Sequence, residues 1–238
     1  MTTPGAGRPA WTRRRTGCAA LSLHPVRCRL AGRTVPNELL GISRSHHVAL
    51  TFDDGPDLDS TPYLLDALDR HRIRATFFLL GAYVVPAAGL VRELVAAGHE
   101  LAVHGWDHRP TLLLRGDRLT DELRRARDVV EDTGGQRVEW YRPPYGALSP
   151  ATFRAAEAAG MRTVLWSAWG RDWEHRATSA SVHRTLHRTL RPGGTVLLHD
   201  TDRTSAPDSW RVTLTALPLL VQSTPAPLGP LRDHGLGR

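Results

Sequence analysis

The chain lacks lysine altogether, has few cysteines and contains no long hydrophobic run. All 31 basic residues are arginine, and 2 cysteines in 238 residues exclude a dense disulfide framework. No segment approaches the roughly 18 consecutive apolar residues of a membrane-spanning helix. No apolar run of signal-peptide length follows the basic N-terminal residues, so the sequence by itself predicts a cytoplasmic protein without a transmembrane segment. The composition, 41% hydrophobic and 23% charged, is typical of a soluble globular domain.

The net charge of +7 is confined to the N-terminal part of the chain. Residues 1–47 carry eight arginines and one glutamate, whereas the remainder carries 23 arginines and 23 acidic residues. We therefore predict that residues 1–45 form a basic, poorly ordered arm, which also holds Cys18 and Cys28. Such an arm can bind anionic polymers, lipid surfaces or nucleic acid. A degenerate export signal or an over-extended translation start explains it equally well, and nucleic-acid binding is the least favoured function.

Two adjacent carboxylates follow an apolar, strand-like segment. Val48-Ala49-Leu50-Thr51-Phe52 is a short run that Asp53-Asp54-Gly55-Pro56 ends. Because adjacent residues near a strand end point to different sides, one of Asp53 and Asp54 can bind a metal while the other acts as a base. An Asp-Asp-Gly-Pro sequence on its own is also a common turn.

Two histidines follow a second strand-like segment, residues 99–103. His104 is the first of them, and His108 lies four positions further along. Such a pair converges on one ion if the intervening turn is helical. With one Asp of the acidic pair, the histidines make a ligand set that suits zinc, with cobalt, nickel and manganese as alternatives. Since an H-x-x-x-H pattern also occurs by chance among 12 histidines, the prediction depends on both motifs together.

Three later segments bring further functional groups to predicted strand ends. Residues 140–146, Trp-Tyr-Arg-Pro-Pro-Tyr-Gly, form a rigid turn in which a backbone N–H near Tyr145 can face a developing oxyanion. Residues 165–173 contain three tryptophans and one carboxylate, a composition that suits either a sugar face or core packing. In residues 195–200, strand alternation puts Leu197 and His199 on one face, where an imidazole can protonate a leaving amine.

Strand-like and helix-like segments alternate from residue 46 onwards, which predicts a parallel sheet. The expected helices cover 60–70, 87–97, 117–132, 149–160, 179–190 and 210–222, and the expected further strands cover 75–80, 161–167, 195–198 and a short one near Leu228. All candidate residues lie at or just after the carboxyl end of a strand, the face that carries the active site in α/β barrels.

On these residues the chain resembles the polysaccharide deacetylases of the NodB-homology type, carbohydrate esterase family four. Five motifs of that family, TFDDGP, H-x-x-x-H, RPPYG, R-D-W and L-L-H, occur in order between residues 46 and 222. The resemblance implies an α/β fold, an irregular (β/α) barrel, with a catalytic domain at 46–222 and a Pro/Gly-rich tail at 223–238. It also implies metal-dependent removal of N-acetyl groups from chitin oligomers or peptidoglycan, at the cell envelope or outside the cell.

The resemblance further implies a role for each candidate residue. Asp53 would be the general base, with Arg142 as its partner, and His199 would be the general acid, with Asp172 as its partner. The metal ligands would be Asp54, His104 and His108, and the Tyr145 backbone N–H would donate to the oxyanion. Substrate contacts would come from Pro144, Trp173 and Leu197. A cation beside the base and an anion beside the acid favour the charge state that each role requires.

The chain departs from the family pattern at two positions. Gly105 stands where the family usually has Ser or Thr, which removes a hydroxyl that braces the metal loop and predicts weaker metal binding. Trp169 stands where the family often has Asp, which alters the wall of the substrate groove. Two other functions therefore stay open: deacylation of a small amide or an O-acetyl ester such as acetylxylan, and non-catalytic glycan binding. The oligomeric state cannot be predicted.

Overall fold

The structure, a computed structural model, describes residues 29–30, 33–114, 116–224 and 226–236. The strands of these ranges are β1 Arg29–Leu30, β2 Arg33–Thr34, β3 Val48–Asp53, β4 Thr76–Leu79, β5 Glu100–Val103, β6 Trp140–Tyr141, β7 Arg162–Thr163, β8 Ala168–Trp169, β9 Thr195–His199 and β10 Leu228–Gly229. The helices are α1 Thr61–Arg70, α2 Gly81–Val84, α3 Ala88–Ala96, α4 Gly116–Gly134, α5 Pro150–Ala158, α6 Ser179–His187 and α7 Ser209–Ser223. Short 3₁₀ turns cover Thr111–Leu113, Pro144–Gly146 and Leu231–Asp233.

The main sheet is parallel and follows the order β7-β6-β5-β4-β3-β9-β8, with β10 paired to the start of β3. Helices cover it, as the alternating pattern predicts, and the sheet curls into the barrel-like arrangement expected from the resemblance. Its central strand β3 is buried along its whole length, because helices or loops cover both faces. The predicted irregular (β/α) barrel is thus confirmed.

Six of the seven helices in the described ranges form where the sequence predicts them. Helix α2, Gly81–Val84, was not predicted, because four residues are too few to show helical periodicity. Helix α4 buries Leu119, Leu123, Ala126 and Val130, which recur at helical spacing, and presents its charged residues outwards. Helix α5 begins with a capping box in which Ser149 and Thr152 satisfy each other's backbone N–H groups. Within the described ranges, no helix combines the length and the hydropathy needed to span a bilayer.

The expected strand at 161–167 is replaced by two short strands with an irregular crossing between them. Val164 N bonds to Tyr141 O at 2.9 Å, but Leu165 N bonds to Leu39 O at 2.7 Å and Ser167 N to Thr195 O at 3.0 Å. The segment therefore changes partner at almost every residue, because it crosses the gap between the two edge strands of the sheet. A continuous strand would need one partner along its whole length.

Residues on both sides of the predicted catalytic domain pack against the barrel. Val35 and Leu39, from the predicted arm, are buried in a cluster with Leu165, Trp166 and Leu197. In the predicted tail, the short strand near Leu228 is confirmed, and His234 is buried with its Nε2 2.8 Å from Gly193 O. The domain limits themselves stay predictions. Cys18, Cys28 and most of the arginines of the arm lie outside the described residues.

Candidate active site

One carboxylate and two imidazoles meet at the carboxyl ends of neighbouring strands. Asp54 follows β3, His104 follows β5, and His108 lies in the loop beyond it. Their potential ligand atoms lie within 4.8 Å of one another, and Asp54 Oδ1 is 3.3 Å from the Nε2 atom of each histidine. Of the two possibilities for the segment between the histidines, a loop or a short helical turn, the structure has the loop. Positive φ angles at Gly105 (101°) and His108 (65°) bend the loop so that both rings face Asp54.

The donor set fits a divalent cation. Within the described residues, no group makes a hydrogen bond with Asp54 Oδ1, although this atom is buried. His104 Nδ1 lies 2.9 Å from Arg142 O, which assigns the proton to Nδ1 and leaves the Nε2 lone pair directed at Asp54. An unpartnered carboxylate oxygen beside two imidazole nitrogens is the environment that zinc and similar ions complete.

The charge states of these groups also suit a metal. Burial opposes ionisation of Asp54, but the imidazoles of His104, His199 and His108 outweigh burial and hold its pKa well below the usual range. Burial lowers the pKa of His108 to about 4, which keeps its imidazole neutral at ordinary pH. A metal requires its imidazole ligands neutral and its carboxylate ligands ionised, and the pKa shifts of His108 and Asp54 are in the directions that this requires.

The second carboxylate, Asp53, is held by a buried arginine. Arg142 donates from Nη1 to Asp53 Oδ1 at 2.7 Å and to Thr51 Oγ1 at 2.8 Å, and from Nη2 to Leu165 O at 2.8 Å. Burial lowers the pKa of Arg142, and the Asp53 carboxylate opposes that shift. Asp53 Oδ2, the oxygen away from Arg142, lies 3.8 Å from His104 Nε2. The arrangement fixes one oxygen and leaves the other beside the candidate metal site.

On β9, the strand next to β3, His199 is in register with Asp53 and is paired with a buried carboxylate. Its Nδ1 lies 3.1 Å from Asp172 Oδ1, and Asp172 Oδ2 accepts hydrogen bonds from His199 N and Thr213 Oγ1, each at 2.7 Å. Burial alone lowers the pKa of His199, but the carboxylates of Asp172, Asp54 and Asp53 together outweigh burial and raise the pKa to about 10. His199 therefore carries a proton at neutral pH. Neither Thr213 nor Thr51 was given a role from the sequence: Thr213 lies in no motif, and Thr51 was considered only as part of the strand-like segment before the acidic pair.

Aromatic side chains border the site at two places. The Tyr145 ring packs against His108 with ring centroids 4.5 Å apart, in a turn where Tyr145 has a φ of 60°. Trp173 lies edge-on to His199 at 5.3 Å, and the Trp169 ring is 5.2 Å from that of Trp173. Pairing of β8 with β9 places Trp169 beside Leu197, two residues before His199 on the same face.

All predicted site residues therefore gather around the carboxyl ends of β3, β5, β6, β8 and β9 or in the loops that follow. Pro144 and Leu197 are buried there, Tyr145 is 63% exposed, and Trp173 is intermediate. The geometry brings together a candidate metal site, a carboxylate held by arginine and an imidazolium held by a carboxylate.

Comparison with known proteins agrees with this geometry. Residues 41–164 match a family model described as "Polysaccharide deacetylase". The chain is 36% identical over 170 residues to the peptidoglycan-N-acetylglucosamine deacetylase PgdA of Listeria monocytogenes, covering 71% of this chain and 35% of the relative. It is 39% identical over 170 residues to a chitooligosaccharide deacetylase of Sinorhizobium fredii, covering 71% and 77%.

A similar fold is known from crystal structures. The Bc1960 peptidoglycan N-acetylglucosamine deacetylase superposes with a TM-score of 0.74 at 25% identity, covering 82% of this chain and 90% of that one. The match to the Listeria protein spans only about a third of that relative's length.

Proposed function

The chain belongs to the polysaccharide deacetylase family, and from this premise we propose that it is a metal-dependent hydrolase that releases acetate from N-acetylhexosamine-containing glycans. The observation that carries the proposal is the placement of Asp53 between the cluster of Asp54, His104 and His108 and the pair of His199 and Asp172, which is held on the neighbouring strand. Peptidoglycan and chitin oligomers are the proposed substrates, since relatives are named for them. Peptidoglycan as substrate places the reaction at the cell envelope.

Asp54, His104 and His108 would hold the metal, which is zinc in our proposal because two imidazoles and one carboxylate leave a fourth position open. When bound, the ion would polarise the acetyl carbonyl and lower the pKa of water. Asp53 takes a proton from the attacking water through Oδ2, while Arg142 holds Oδ1 in place. The Tyr145 backbone N–H donates to the carbonyl oxygen as negative charge develops there.

His199 completes the reaction by protonating the departing nitrogen. With Nδ1 bonded to Asp172, the Nε2–H is the proton that His199 can donate. As the carbon–nitrogen bond of the amide breaks, this proton goes to the nitrogen, so the sugar leaves as a free amine and the acyl group as acetate. Leu197 and Trp173 adjoin His199 and enclose the acetyl methyl group.

The experiment that tests the proposal measures acetate released from chitin oligomers, peptidoglycan and acetylxylan. We expect release by zinc-loaded protein, none by metal-stripped protein, and a loss of about 100-fold or more in the Asp53→Asn variant. That variant should still bind zinc, because Asp53 is the base and not a ligand. Asp121→Asn, which changes a carboxylate exposed on α4, is the matched control and should retain full activity.

Each negative outcome has a distinct meaning. If zinc binds but no glycan is deacetylated, the polysaccharide substrate is wrong and small amides become the candidates. Preference for acetylxylan would favour the O-acetyl ester alternative, which uses the same site. Equal activity of Asp53→Asn and the unmodified protein would overturn the proposed base.

A further inference from the structure

The segment after β9 crosses over the loop that carries the acidic pair. Arg203 donates from Nη1 to the main-chain oxygen of Asp54 at 2.7 Å, and from Nη2 to Pro56 O at 3.1 Å and to Asp57 Oδ2 at 2.9 Å. Its guanidinium also stacks over the Tyr83 ring at 3.7 Å. The Arg203 side chain thus connects Asp54, Pro56 and Asp57 of this loop to the segment that follows β9.

The next residue contacts the Asp54 carboxylate itself. Thr204 Oγ1 donates a hydrogen bond to Asp54 Oδ2 at 2.5 Å. The other carboxylate oxygen, Oδ1, is the one that lies 3.3 Å from His104 Nε2 and His108 Nε2. Asp54 also has a φ of 81°, a backbone conformation that non-glycine residues adopt only when their surroundings enforce it.

We propose that Arg203 and Thr204 act together as a positioning clamp for the metal ligand Asp54. Thr204 occupies Oδ2 and so fixes the carboxylate with Oδ1 turned towards the two histidines. Arg203 holds the main chain of Asp54 in the positive-φ conformation that brings the carboxylate to this place. The inference rests on the proposed function, since it takes Asp54, His104 and His108 as the ligands of a divalent cation. Neither clamp residue belongs to the five sequence motifs.

The physical basis is the way in which outer groups orient metal ligands. A carboxylate without a donor on its second oxygen can rotate or bind through both oxygens, which changes the number and direction of its metal bonds. Thr204 removes that freedom at a buried site, where the carboxylate has few other partners. Loss of such outer hydrogen bonds typically weakens metal binding by about 10- to 100-fold.

The test measures zinc affinity of the full-length chain by competition with a chromophoric chelator. We expect Thr204→Val, which keeps the side-chain shape but removes the hydroxyl, to bind zinc about 10- to 100-fold more weakly. Thr204→Ser, which restores the hydroxyl, should bind zinc nearly as well as the unmodified protein. Thr215→Val is the matched control, because its exposed hydroxyl bonds only within α7, to Arg211 O and Val212 O, and its affinity should not change.

Two further measurements separate positioning from a general structural role. The visible absorption of the cobalt-substituted protein reports ligand geometry, and we expect it to change in Thr204→Val but not in Thr215→Val. Arg203→Lys keeps the charge but loses the two-pronged contact with the main chain, so zinc affinity should fall by a smaller factor. Thermal melting of the metal-free protein will show whether Thr204→Val folds. If it does not fold, the zinc affinity of Arg203→Lys tests the clamp instead.

The outcomes distinguish the clamp from the proposed function. If the unmodified protein binds zinc and both Thr204→Val and Arg203→Lys bind it equally well, the clamp is overturned while the proposed function stands. If the unmodified protein binds no divalent metal, the proposed function and the clamp both fail. Weakened binding in Thr204→Val with recovery in Thr204→Ser supports the clamp.

Discussion

At the scale of single residues, the two proposed proton-transfer groups lie in opposite electrostatic environments. Asp53 accepts a hydrogen bond from a fully buried guanidinium, whereas His199 is bonded to a buried carboxylate. The first environment favours an ionised carboxylate and the second a protonated imidazole. A carboxylate bonded to an arginine and an imidazole bonded to a carboxylate are therefore present together, as the proposed general base and general acid require.

The pH profile of activity should reveal the pairing of His199 with Asp172. Because Asp172, together with Asp54 and Asp53, outweighs the effect of burial and raises the pKa of His199 to about 10, the imidazole stays protonated into the alkaline range. Asp172→Asn removes the negative charge, so the pKa of His199 falls and the acid loses its proton at lower pH. We expect the alkaline limb of kcat/KM to move by at least about one pH unit towards the ordinary histidine value.

The measurement is kcat/KM with a soluble chitin oligomer across the pH range, on zinc-loaded protein. A bound cation lowers the pKa of His199 in both proteins, so the comparison between them remains valid. Thr213→Val is the control, because it removes one hydrogen bond to Asp172 but no charge. The alkaline limb of kcat/KM should shift less in this variant than in Asp172→Asn. An unchanged limb in Asp172→Asn would show that His199 does not limit the alkaline activity.

The residues that sequence reasoning identified differ in kind from those that it missed. Asp53, Asp54, His104 and His108 stand in short motifs, and their chemical types point to metal chemistry. Thr204 contacts Asp54 across 150 positions of the chain, and Thr213 contacts Asp172 across 41. A threonine distant in sequence carries no pattern of its own, so only the fold can show that it supports the site.

At the scale of secondary structure, prediction succeeded where one local rule governs a segment. The six predicted helices have apolar stripes, and strands such as β3 and β9 are continuous apolar runs that end at polar residues. Residues 161–167 look like another such run, but their hydrogen-bond partners belong to three different parts of the chain. The sequence shows the apolar character of that segment and not the change of partner.

The end of β8 gives an element-scale prediction about substrate length. Register with β9 places Trp169 beside Leu197 at the barrel mouth, next to Trp173, and we predict that its ring contacts a sugar that adjoins the reacting one. We expect Trp169→Ala to raise KM for longer chitin oligomers by about tenfold, which corresponds to about 1.4 kcal/mol of lost binding. The increase in KM should be much smaller for the shortest substrate, because that substrate does not extend to the part of the substrate groove that Trp169 forms.

Steady-state kinetics over a series of oligomer lengths provides the measurement. Trp169→Phe, which keeps an aromatic face, should recover most of the affinity. Tyr63→Ala is the control, since this half-exposed ring stacks on Trp210 on the outside of α1 and should leave KM unchanged. If KM rises equally at every length, Trp169 supports the fold rather than a separate sugar position.

At the scale of the whole molecule, the sheet is completed by residues that precede the five motifs. The main sheet has β7 at one edge and β8 at the other, and the segment between these strands bonds to Leu39. Ser43 N also bonds to Gly193 O at 2.9 Å, and Gly41 O accepts from Thr195 Oγ1 at 2.7 Å. The motif-based limit at residue 46 misses these contacts, because residues 35–45 have neither helical nor strand periodicity.

Truncation tests where the folded unit begins. Deleting residues 1–34 removes β1 and β2, which among the described residues pair only with each other, and we expect little change in melting temperature. Deleting residues 1–45 also removes Val35 and Leu39 from the cluster around Trp166. Loss of two buried side chains costs about 3–6 kcal/mol, so the melting temperature should fall by at least about 6 °C. Calorimetry of both truncated proteins gives the comparison, and equal melting temperatures would mean that residues 35–45 contribute nothing to the stability of the barrel.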